Sequence, residues 1–299
     1  MTTDARIDSI RTVAVLGAGT MGAGIAQAAA LAGLPTTLHD ADAAALQRGL
    51  DRALSQIDEG VRRGKVPGPQ ADAARKVLTA SSDLAASVKD ASLVIEAVPE
   101  SLDLKRRIFA DLDRLSGPET ILATNTSSLS ITAIAEGIRS PERVVGLHFF
   151  NPPHIMKLVE IVRGAKTSTE TVEAARAVVA AMGKEAIVVK DSPGFASSRL
   201  GIALGLEAMR MVEQEVASAA DIDRAMELGY GHPMGPLKVS DLVGLDVRLS
   251  IAEILHRGLG GERFEPPDIL RRLVREGKLG KKTGEGFHRW EAPAPKKPT

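Results

Sequence analysis

The chain has 299 residues, no cysteine, and 38 basic residues against 38 acidic ones. Its length allows two domains, and the balanced charge gives no overall field that would attract nucleic acid or an anionic membrane, so neither partner is expected. The missing cysteines exclude a disulfide framework and a thiolate nucleophile. The first ten residues lack the apolar run of a signal peptide, and no later run is long enough to cross a bilayer, so we expect a cytoplasmic protein.

Short β-branched runs alternate with longer helical patterns from residue 11 to about residue 190. This alternation is typical of βαβ units and predicts a mainly parallel sheet with helices on its faces. Strands are expected at residues 12–16, 36–38, 93–97, 120–124, 143–148, 158–162 and 186–189. A stretch at about 42–77 has no strand signal and is interrupted at 65–69 by prolines, so it predicts a helical hairpin inserted between strands.

The pattern changes after Asp191, where apolar residues recur at helical spacing only. Helices are expected over 195–216, after a cap at Ser218, and over 241–259. We therefore predict an α/β domain at residues 1–191, with a mainly parallel sheet. An all-α C-terminal domain is predicted at residues 192–299.

A glycine motif, Gly17-Ala-Gly-Thr-Met-Gly22, directly follows the first predicted strand and precedes a run of small residues that suits a helix. In this setting GxGxxG is typical of a dinucleotide-binding, Rossmann-type domain. Its glycines allow a tight turn, close approach of a pyrophosphate, and close packing of helix on strand. The cofactor-binding residues predicted here are Gly17, Gly19, Thr20, Met21 and Gly22. A purely structural turn between strand and helix is the alternative.

Asp40 closes the second predicted strand, about 20 residues after the glycine motif. A carboxylate at this place can accept hydrogen bonds from an adenosine ribose, and its charge would repel a 2′-phosphate. NAD is therefore favoured over NADP as the cofactor. Separately, no metal site is predicted. The alternative reading of Asp40 is an ordinary surface acid or the cap of the next helix.

Glu160 lies in a predicted strand that is apolar on both faces, and His148 ends the strand before it. A carboxylate buried in such a strand is costly unless it is paired and hydrogen-bonded. The bend at Asn151-Pro-Pro could bring the two strand ends, and with them imidazole and carboxylate, together. Such a pair would make His148 a competent base near neutral pH. The alternative is a core histidine in a structural ion pair.

A run of hydroxyl and amide side chains, Thr124-Asn-Thr-Ser-Ser-Leu-Ser130, follows another predicted strand. Ligands of open α/β sheets bind outside the carboxyl ends of the strands, so Ser127 and Asn151 could donate hydrogen bonds to a substrate oxygen. Equally, Ser127, Ser128 or Ser130 could cap the helix that follows.

In their order along the chain, these motifs resemble those of the NAD-dependent L-3-hydroxyacyl-CoA dehydrogenases, in the short form that includes bacterial 3-hydroxybutyryl-CoA dehydrogenases. The matching stretches are GAGTMGAGIA at 17–26, VIEAVPESLDLK at 94–105, TNTSSLSI at 124–131, HFFNPPHIMKLVEIV at 148–162, DSPGF at 191–195, HPMGP at 232–236 and GKKTGEGF at 280–287. GxGxxG occurs in many families, whereas HFFNPP with a Glu twelve residues after its His is specific.

The resemblance implies roles for single residues. His148 would take the proton of the substrate 3-hydroxyl while hydride passes from C3 to NAD, and Glu160 would orient His148 and balance its charge. Ser127 would hydrogen-bond the reacting oxygen, with Asn151 close by. Two further residues, Glu100 and Lys105, match positions beside the bound cofactor.

The resemblance also implies an acyl-CoA substrate, a role in fatty acid metabolism and a homodimer formed through the C-terminal helices. The helical hairpin would cover the CoA. On charge alone, Arg62, Arg63 and Lys65 could meet its phosphates, and the alternative is a solvated basic helix end. Ser198 departs from the family pattern, because it stands where PGFxxNR has an Asn near the substrate. A hydroxyl is shorter than an amide and offers one donor instead of two. Either a neighbour such as Ser197 or a water makes up the contact, or the substrate preference and rate differ from the common form.

Two other functions remain open from the sequence. One is a related dehydrogenase of a free hydroxy acid, of the L-gulonate or carnitine type, which uses a similar sheet domain and His/Glu pair. The other is a non-catalytic, crystallin-like protein that binds NAD. The intact His148 and Glu160 argue against the second, and Ser198 is the feature in its favour.

Overall fold

The structure, a computed structural model, describes residues 10–291. The chain divides into two compact units, and the boundary between them in the sequence falls after Ser192. Most of the N-terminal stretch on which the absence of a signal peptide was predicted lies outside the described residues. Within residues 10–291, no helix is both long enough and apolar enough to span a membrane.

The first unit is built on one eight-stranded sheet in the order β3-β2-β1-β4-β5-β6-β7-β8. The strands are β1 Val13–Leu16, β2 Thr36–His39, β3 Leu78–Ser81, β4 Leu93–Glu96, β5 Ile121–Thr124, β6 Val144–Phe149, β7 Leu158–Arg163 and β8 Glu185–Lys190. Every neighbouring pair is parallel except β6 and β7, which are antiparallel. The predicted mainly parallel sheet is therefore confirmed, and each predicted strand is present.

Between residues 10 and 192, the described part of this unit, there are seven α-helices. They are α1 Thr20–Leu31, α2 Ala43–Arg62, α3 Gly68–Val77, α4 Leu84–Val88, α5 Leu102–Leu115, α6 Ile131–Ile134 and α7 Thr169–Ala181. Helices α2 and α3 lie in the stretch at about 42–77 for which a helical hairpin was predicted. Strand β3, which follows them, was missed because only Leu78 of its four residues is buried, so the strand carries no apolar run.

The second unit is helical, as predicted. Its α-helices are α8 Ser197–Glu213, α9 Ala219–Gly229, α10 Pro236–Val243, α11 Leu245–Leu259 and α12 Asp268–Arg275. The side chain of Ser218 caps α9 by accepting a hydrogen bond from the Asp221 N–H. The helix predicted over 241–259 is wrong at its start, because Gly244 adopts φ +104° and separates α10 from α11. Helix α12 was not predicted.

Parallel pairing brings the carboxyl ends of four central strands to one edge of the sheet. The last residues of these strands are Leu16, Glu96, Thr124 and Phe149. The loops that leave this edge contain the glycine motif and the hydroxyl-rich run. Candidate site residues of the first unit therefore gather at the carboxyl edge of the sheet.

Arg248, on α11, is a buried cation in the second unit. It is only 8% exposed, and among residues 10–291 its Nε has no hydrogen-bond partner. Burial lowers the pKa of the Arg248 guanidinium to about 10. The group stays charged at pH 7, so the folded state carries a cost on the order of 3 kcal/mol, which fades only as pH rises above about 10.

Replacing Arg248 by Met should therefore leave the free energy of unfolding unchanged or raise it by about 1–3 kcal/mol at pH 7, because an apolar side chain carries no desolvation cost. Urea unfolding measures the difference. Arg257→Met is the control, since Arg257 is exposed on the same helix and its replacement should change stability by less than about 0.5 kcal/mol. A loss above about 1 kcal/mol in Arg248→Met alone would contradict the expectation.

Candidate active site

The glycine motif forms a tight turn between β1 and α1. Gly17 adopts φ +94°, and a Cβ on Gly22 would lie 1.7 Å from the Gly17 carbonyl oxygen, so the turn closes directly against the helix. Gly19 is the N-cap of α1 and provides no side-chain cap. The first N–H groups of the helix are therefore left without a side-chain acceptor, which suits a bound phosphate.

A groove of about 780 Å³ runs along this turn. Of the predicted cofactor-binding residues, it is lined by Gly17, Gly19, Thr20, Met21 and Asp40. Gly22 lies beneath the turn and is buried. The groove also reaches Ala97 and Pro99, at the carboxyl end of β4. Its length along the sheet edge and its glycine floor fit an extended dinucleotide.

Asp40 is fixed at the groove by backbone hydrogen bonds. Its Oδ2 accepts from the Ala18 N–H at 2.8 Å, and its Oδ1 accepts from the Asp42 N–H at 3.0 Å. Each oxygen retains acceptor capacity for a ribose hydroxyl. The alternative that Asp40 caps α2 is wrong, because Asp42 is the cap and accepts from the Ala44 N–H at 2.8 Å.

Two arginines on α2, Arg48 and Arg52, line the same groove and were not predicted. They are four residues apart and so lie on one face of the helix. That spacing was visible in the sequence. Only the packing of α2 beside the turn after β1 shows that this face of the helix lines the groove.

His148 and Glu160 are direct partners across the antiparallel pair of β6 and β7. Residues opposite each other in such a pair have side chains on the same face, and here the His148 Nδ1 lies 2.7 Å from the Glu160 Oε2. Glu160 is fully buried and His148 is 7% exposed. The contact therefore lies in a region of low dielectric, where a carboxylate stabilises a protonated imidazole strongly.

The two phenylalanines after His148 differ in their surroundings. Phe149 packs in the core of the first unit, and the Phe150 ring lies 4.6 Å, centroid to centroid, from the imidazole of His148. Phe150 thus contacts one side of the candidate base and limits the orientations that its ring can take.

Ser127 lies in the loop after β5, at the same sheet edge. The Asn125 side chain ties this loop to β6, because its Oδ1 accepts from the Phe149 N–H at 2.9 Å. The helix cap is Ser130, which accepts from the Ala133 N–H, and neither Ser127 nor Ser128 has that role. Ser127 is half-buried, and its hydroxyl is not used in capping.

Glu100 and Lys105 belong to a cluster of charged residues behind the Ser127 loop. Glu100 accepts hydrogen bonds from the Thr126 hydroxyl, from the Ser127 N–H at 3.2 Å and from the Ser128 hydroxyl at 3.0 Å. The Lys105 ammonium is buried and does not line the groove. Its nearest carboxylate is that of Glu96, which the sequence reasoning missed because Glu96 reads as the end of an apolar strand.

Asn151 is exposed in the loop that follows β6 and precedes a cis peptide bond to Pro152. Pro153 packs on α1, where a Cβ on Gly24 would lie 3.0 Å from its ring. Lys184 holds the far side of this loop, since its Nζ donates to the Pro153 carbonyl at 2.5 Å. Burial lowers the pKa of the Lys184 ammonium. The loop after His148 is thus fixed against the dinucleotide-side helix.

Ser198, predicted to bind substrate, lies in the first turn of α8 and belongs to the second unit. It is half-buried. The other predicted site residues all belong to the first unit.

Comparison with known proteins gives matches over almost the whole chain. Residues 12–192 match the family model for the NAD-binding domain of 3-hydroxyacyl-CoA dehydrogenase, and residues 194–290 match the model for its C-terminal domain. A probable 3-hydroxybutyryl-CoA dehydrogenase of Bacillus subtilis is 44% identical over 94% of this chain and 98% of that protein. A 3-hydroxyadipyl-CoA dehydrogenase of Escherichia coli is 43% identical over 95% of this chain and 60% of that protein.

Among solved structures, the crystal structure of (S)-3-hydroxybutyryl-CoA dehydrogenase from Ralstonia eutropha is similar. It superposes with a TM-score of 0.91 at 39% identity, over 94% of this chain and 99% of that one.

The two glycines of the turn offer a matched pair of variants. Gly22→Ala should lower the melting temperature and abolish NADH binding, because its methyl group would lie 1.7 Å from a backbone oxygen. Gly19→Ala should keep the melting temperature, since its methyl group would meet no atom within 4 Å, but should weaken NADH binding about tenfold or more by obstructing the pyrophosphate. Thermal unfolding and NADH fluorescence titration measure both. Equal melting temperatures for the two variants would contradict the expected packing.

Proposed function

Since the chain belongs to the 3-hydroxyacyl-CoA dehydrogenase family, we propose that it catalyses the reversible NAD-dependent oxidation of an L-3-hydroxyacyl-CoA to the 3-ketoacyl-CoA. The family and the NAD cofactor predicted from the sequence motifs are confirmed by these matches. A short substrate such as 3-hydroxybutyryl-CoA agrees with the names of the relatives. The observation that carries the proposal is the buried contact of His148 with Glu160 at the carboxyl edge of the sheet.

In this proposal His148 is the general base. Its Nδ1 contacts Glu160, so Nε2, on the other side of the ring, takes the proton of the 3-hydroxyl. Bound NAD⁺ would accept the hydride from C3. As the proton arrives, the imidazole becomes a cation, and the buried Glu160 carboxylate stabilises that charge and keeps the ring in one orientation. In the reverse direction the imidazolium returns the proton to the developing alkoxide.

Ser127 and Asn151 would hold the reacting oxygen. The hydrogen bond from the Phe149 N–H to Asn125 keeps the Ser127 loop close to the strand of His148, which supports this role. Asn151 lies just after the carboxyl end of β6, and its side-chain amide can donate a hydrogen bond to the same substrate oxygen. Donors that are positioned before the reaction stabilise the oxygen as negative charge develops on it.

Substrate assays test the proposal against its two rivals. Purified protein should oxidise NADH with acetoacetyl-CoA at a rate of at least about 1 s⁻¹. A series of 3-ketoacyl-CoAs of increasing length would then define which acyl chain length the enzyme prefers. That preference is the property that Ser198 is expected to affect. A high rate with L-gulonate or carnitine and NAD, together with none on acyl-CoA, would favour the free-acid enzyme. A negligible rate on every substrate, with intact NADH binding, would favour the non-catalytic binder.

The roles of the pair are separable by mutation. His148→Asn should lower kcat by about 10²–10⁴, the usual contribution of a general base, with little change in NADH affinity. Glu160→Gln should lower kcat and shift the rising limb of the pH profile of kcat/KM for oxidation toward lower pH, because the imidazolium loses its counter-charge and releases its proton more easily. The control is Glu185→Gln, because Glu185 is exposed on the neighbouring strand β8. This variant should keep the wild-type kcat and the wild-type pH profile of kcat/KM. An unchanged pH profile in Glu160→Gln would count against the pair.

We also propose a homodimer formed through the second unit. Large apolar side chains are exposed there, among them Leu200 at 71%, Leu228 at 75% and Tyr230 at 78%. Exposed apolar residues of this size on one helical unit suit burial against a second copy.

Light scattering after gel filtration checks the dimer. Leu200→Glu should convert the protein from dimer to monomer, because it introduces a charge into an apolar interface. Ile155→Glu, at an exposed apolar residue of the first unit, should leave the mass unchanged. A monomeric wild-type protein would contradict the proposal.

The remaining expectations stay predictions. The hairpin of α2 and α3 is proposed to cover the CoA, although Arg62 and Arg63 both form ion pairs with Glu59 and so are partly neutralised. Lys65 is exposed beyond the end of α2. A cytoplasmic location and a role in fatty acid metabolism rest on the sequence arguments given above.

A further inference from the structure

We propose that Glu96 is a positioning residue for the reaction, acting through Lys105 and Glu100 on the loop that carries Ser127. The proposal rests on the proposed function for the reaction that it names. It concerns a buried carboxylate that the mechanism above does not use.

Glu96 is the last residue of β4 and lies in the sheet between Leu16 of β1 and Thr124 of β5. Its side chain is fully buried. The Oε1 accepts from the Val98 N–H at 2.7 Å, and the Oε2 accepts from the Thr124 hydroxyl at 2.7 Å. One carboxylate thus connects the ends of two strands, one on the groove side and one on the Ser127 side.

Lys105, on α5, supplies the opposite charge. Its Nζ is 2.6 Å from the Glu96 Oε1, 3.3 Å from the Val98 carbonyl and 3.4 Å from the Glu100 Oε2. At 1% exposure the ammonium is removed from water, so its position is governed by these oxygens. Two carboxylates share one cation, and the cation holds Val98 and Glu100 together.

The contacts continue from Glu100 to the candidate site. Glu100 accepts from the Ser127 N–H and the Ser128 hydroxyl, while Thr124 accepts from the Thr126 N–H at 3.3 Å. One route of polar contacts therefore runs from Glu96 through Lys105 and Glu100 to the Ser127 N–H. A second runs from Glu96 through Thr124 to the N–H of Thr126, the residue before Ser127. A buried ion pair adds little net stability compared with apolar residues, so its directional bonds are the stronger reason for its presence.

Glu96→Gln removes the charge and keeps the shape. The glutamine oxygen can still accept from Val98 and Lys105, and its amide can donate to Thr124. Lys105 then has a single carboxylate, Glu100, and is drawn toward it. Because a displacement of about 1 Å can cost about 10²-fold in rate, we expect kcat to fall ten- to hundredfold, with KM for NADH changed less than about threefold.

A double variant separates positioning from stability. Lys105→Met alone leaves a buried carboxylate uncompensated and is expected to fold poorly. Glu96→Gln combined with Lys105→Met removes both charges, so the fold should recover while kcat stays low. Recovery of the wild-type kcat in this double variant would overturn the proposal and leave the pair a structural one.

Asp113→Asn is the matched control. Asp113 is a buried acid paired with Arg143, and the Arg143 guanidinium also donates to the Thr120 carbonyl, just before the start of β5 and thus away from the carboxyl edge. This variant should lower stability without changing the ratio of kcat to KM. A loss of kcat equal to that of Glu96→Gln would mean that any buried ion pair has the same effect, against the proposal.

Hydrogen exchange provides a readout that does not depend on the substrate. In Glu96→Gln, the amides of residues 97–101 and 124–130 should exchange faster, and those of residues 169–181 should not. Unchanged exchange at 124–130 would overturn the proposal even in an active enzyme. If the wild-type protein has no acyl-CoA activity, the proposed function fails, while the exchange result still decides whether Glu96 holds the loop.

Discussion

The buried contact between His148 and Glu160 is the interaction on which the candidate site depends. It exists because β7 runs antiparallel to β6 in an otherwise parallel sheet, so that the two residues are register partners with side chains on one face. A carboxylate without exposure would be costly alone, and the imidazole offsets that cost. The same burial gives the pair its chemical value, since water does not screen the charge that a protonated imidazole acquires.

The loops that carry the other site residues are held by hydrogen bonds and one packing contact along the carboxyl edge of the sheet. Asn125 connects the Ser127 loop to β6, and Pro153 connects the loop after β6 to α1 of the dinucleotide turn. Glu96 connects the end of β4 to the end of β5. Strands fix the backbone, and buried polar side chains fix the loops between them. The loops of the site are thereby held by contacts within the protein, which suits preorganised catalysis.

Elements that carry an apolar run or a sustained helical pattern were predictable, whereas elements with few buried residues and the partners of buried charges were not. The strands of the central sheet carry continuous apolar runs, and α2 and α3 carry a clear helical pattern. Strand β3 has one buried residue and was invisible to such reasoning. Apolar residues at helical spacing continue through 241–259, and Gly244 interrupts the helix there with a positive φ. The interruption was not predicted, because the spacing of apolar residues does not reveal a positive φ. Glu96 was missed for a related reason, since its partner Lys105 lies on the next helix.

The sequence by itself determined the βαβ order, the glycine turn with Asp40, and the identity of His148 and Glu160 as an unusual acid and base in apolar surroundings. These follow from local periodicity and from the cost of burying charge, both of which can be read residue by residue. Only the tertiary structure decided the 2.7 Å contact between them, the burial of Lys105, and the packing of Pro153 on α1. Those depend on which strands become neighbours and in what register, and long-range pairing leaves no local signal in the chain.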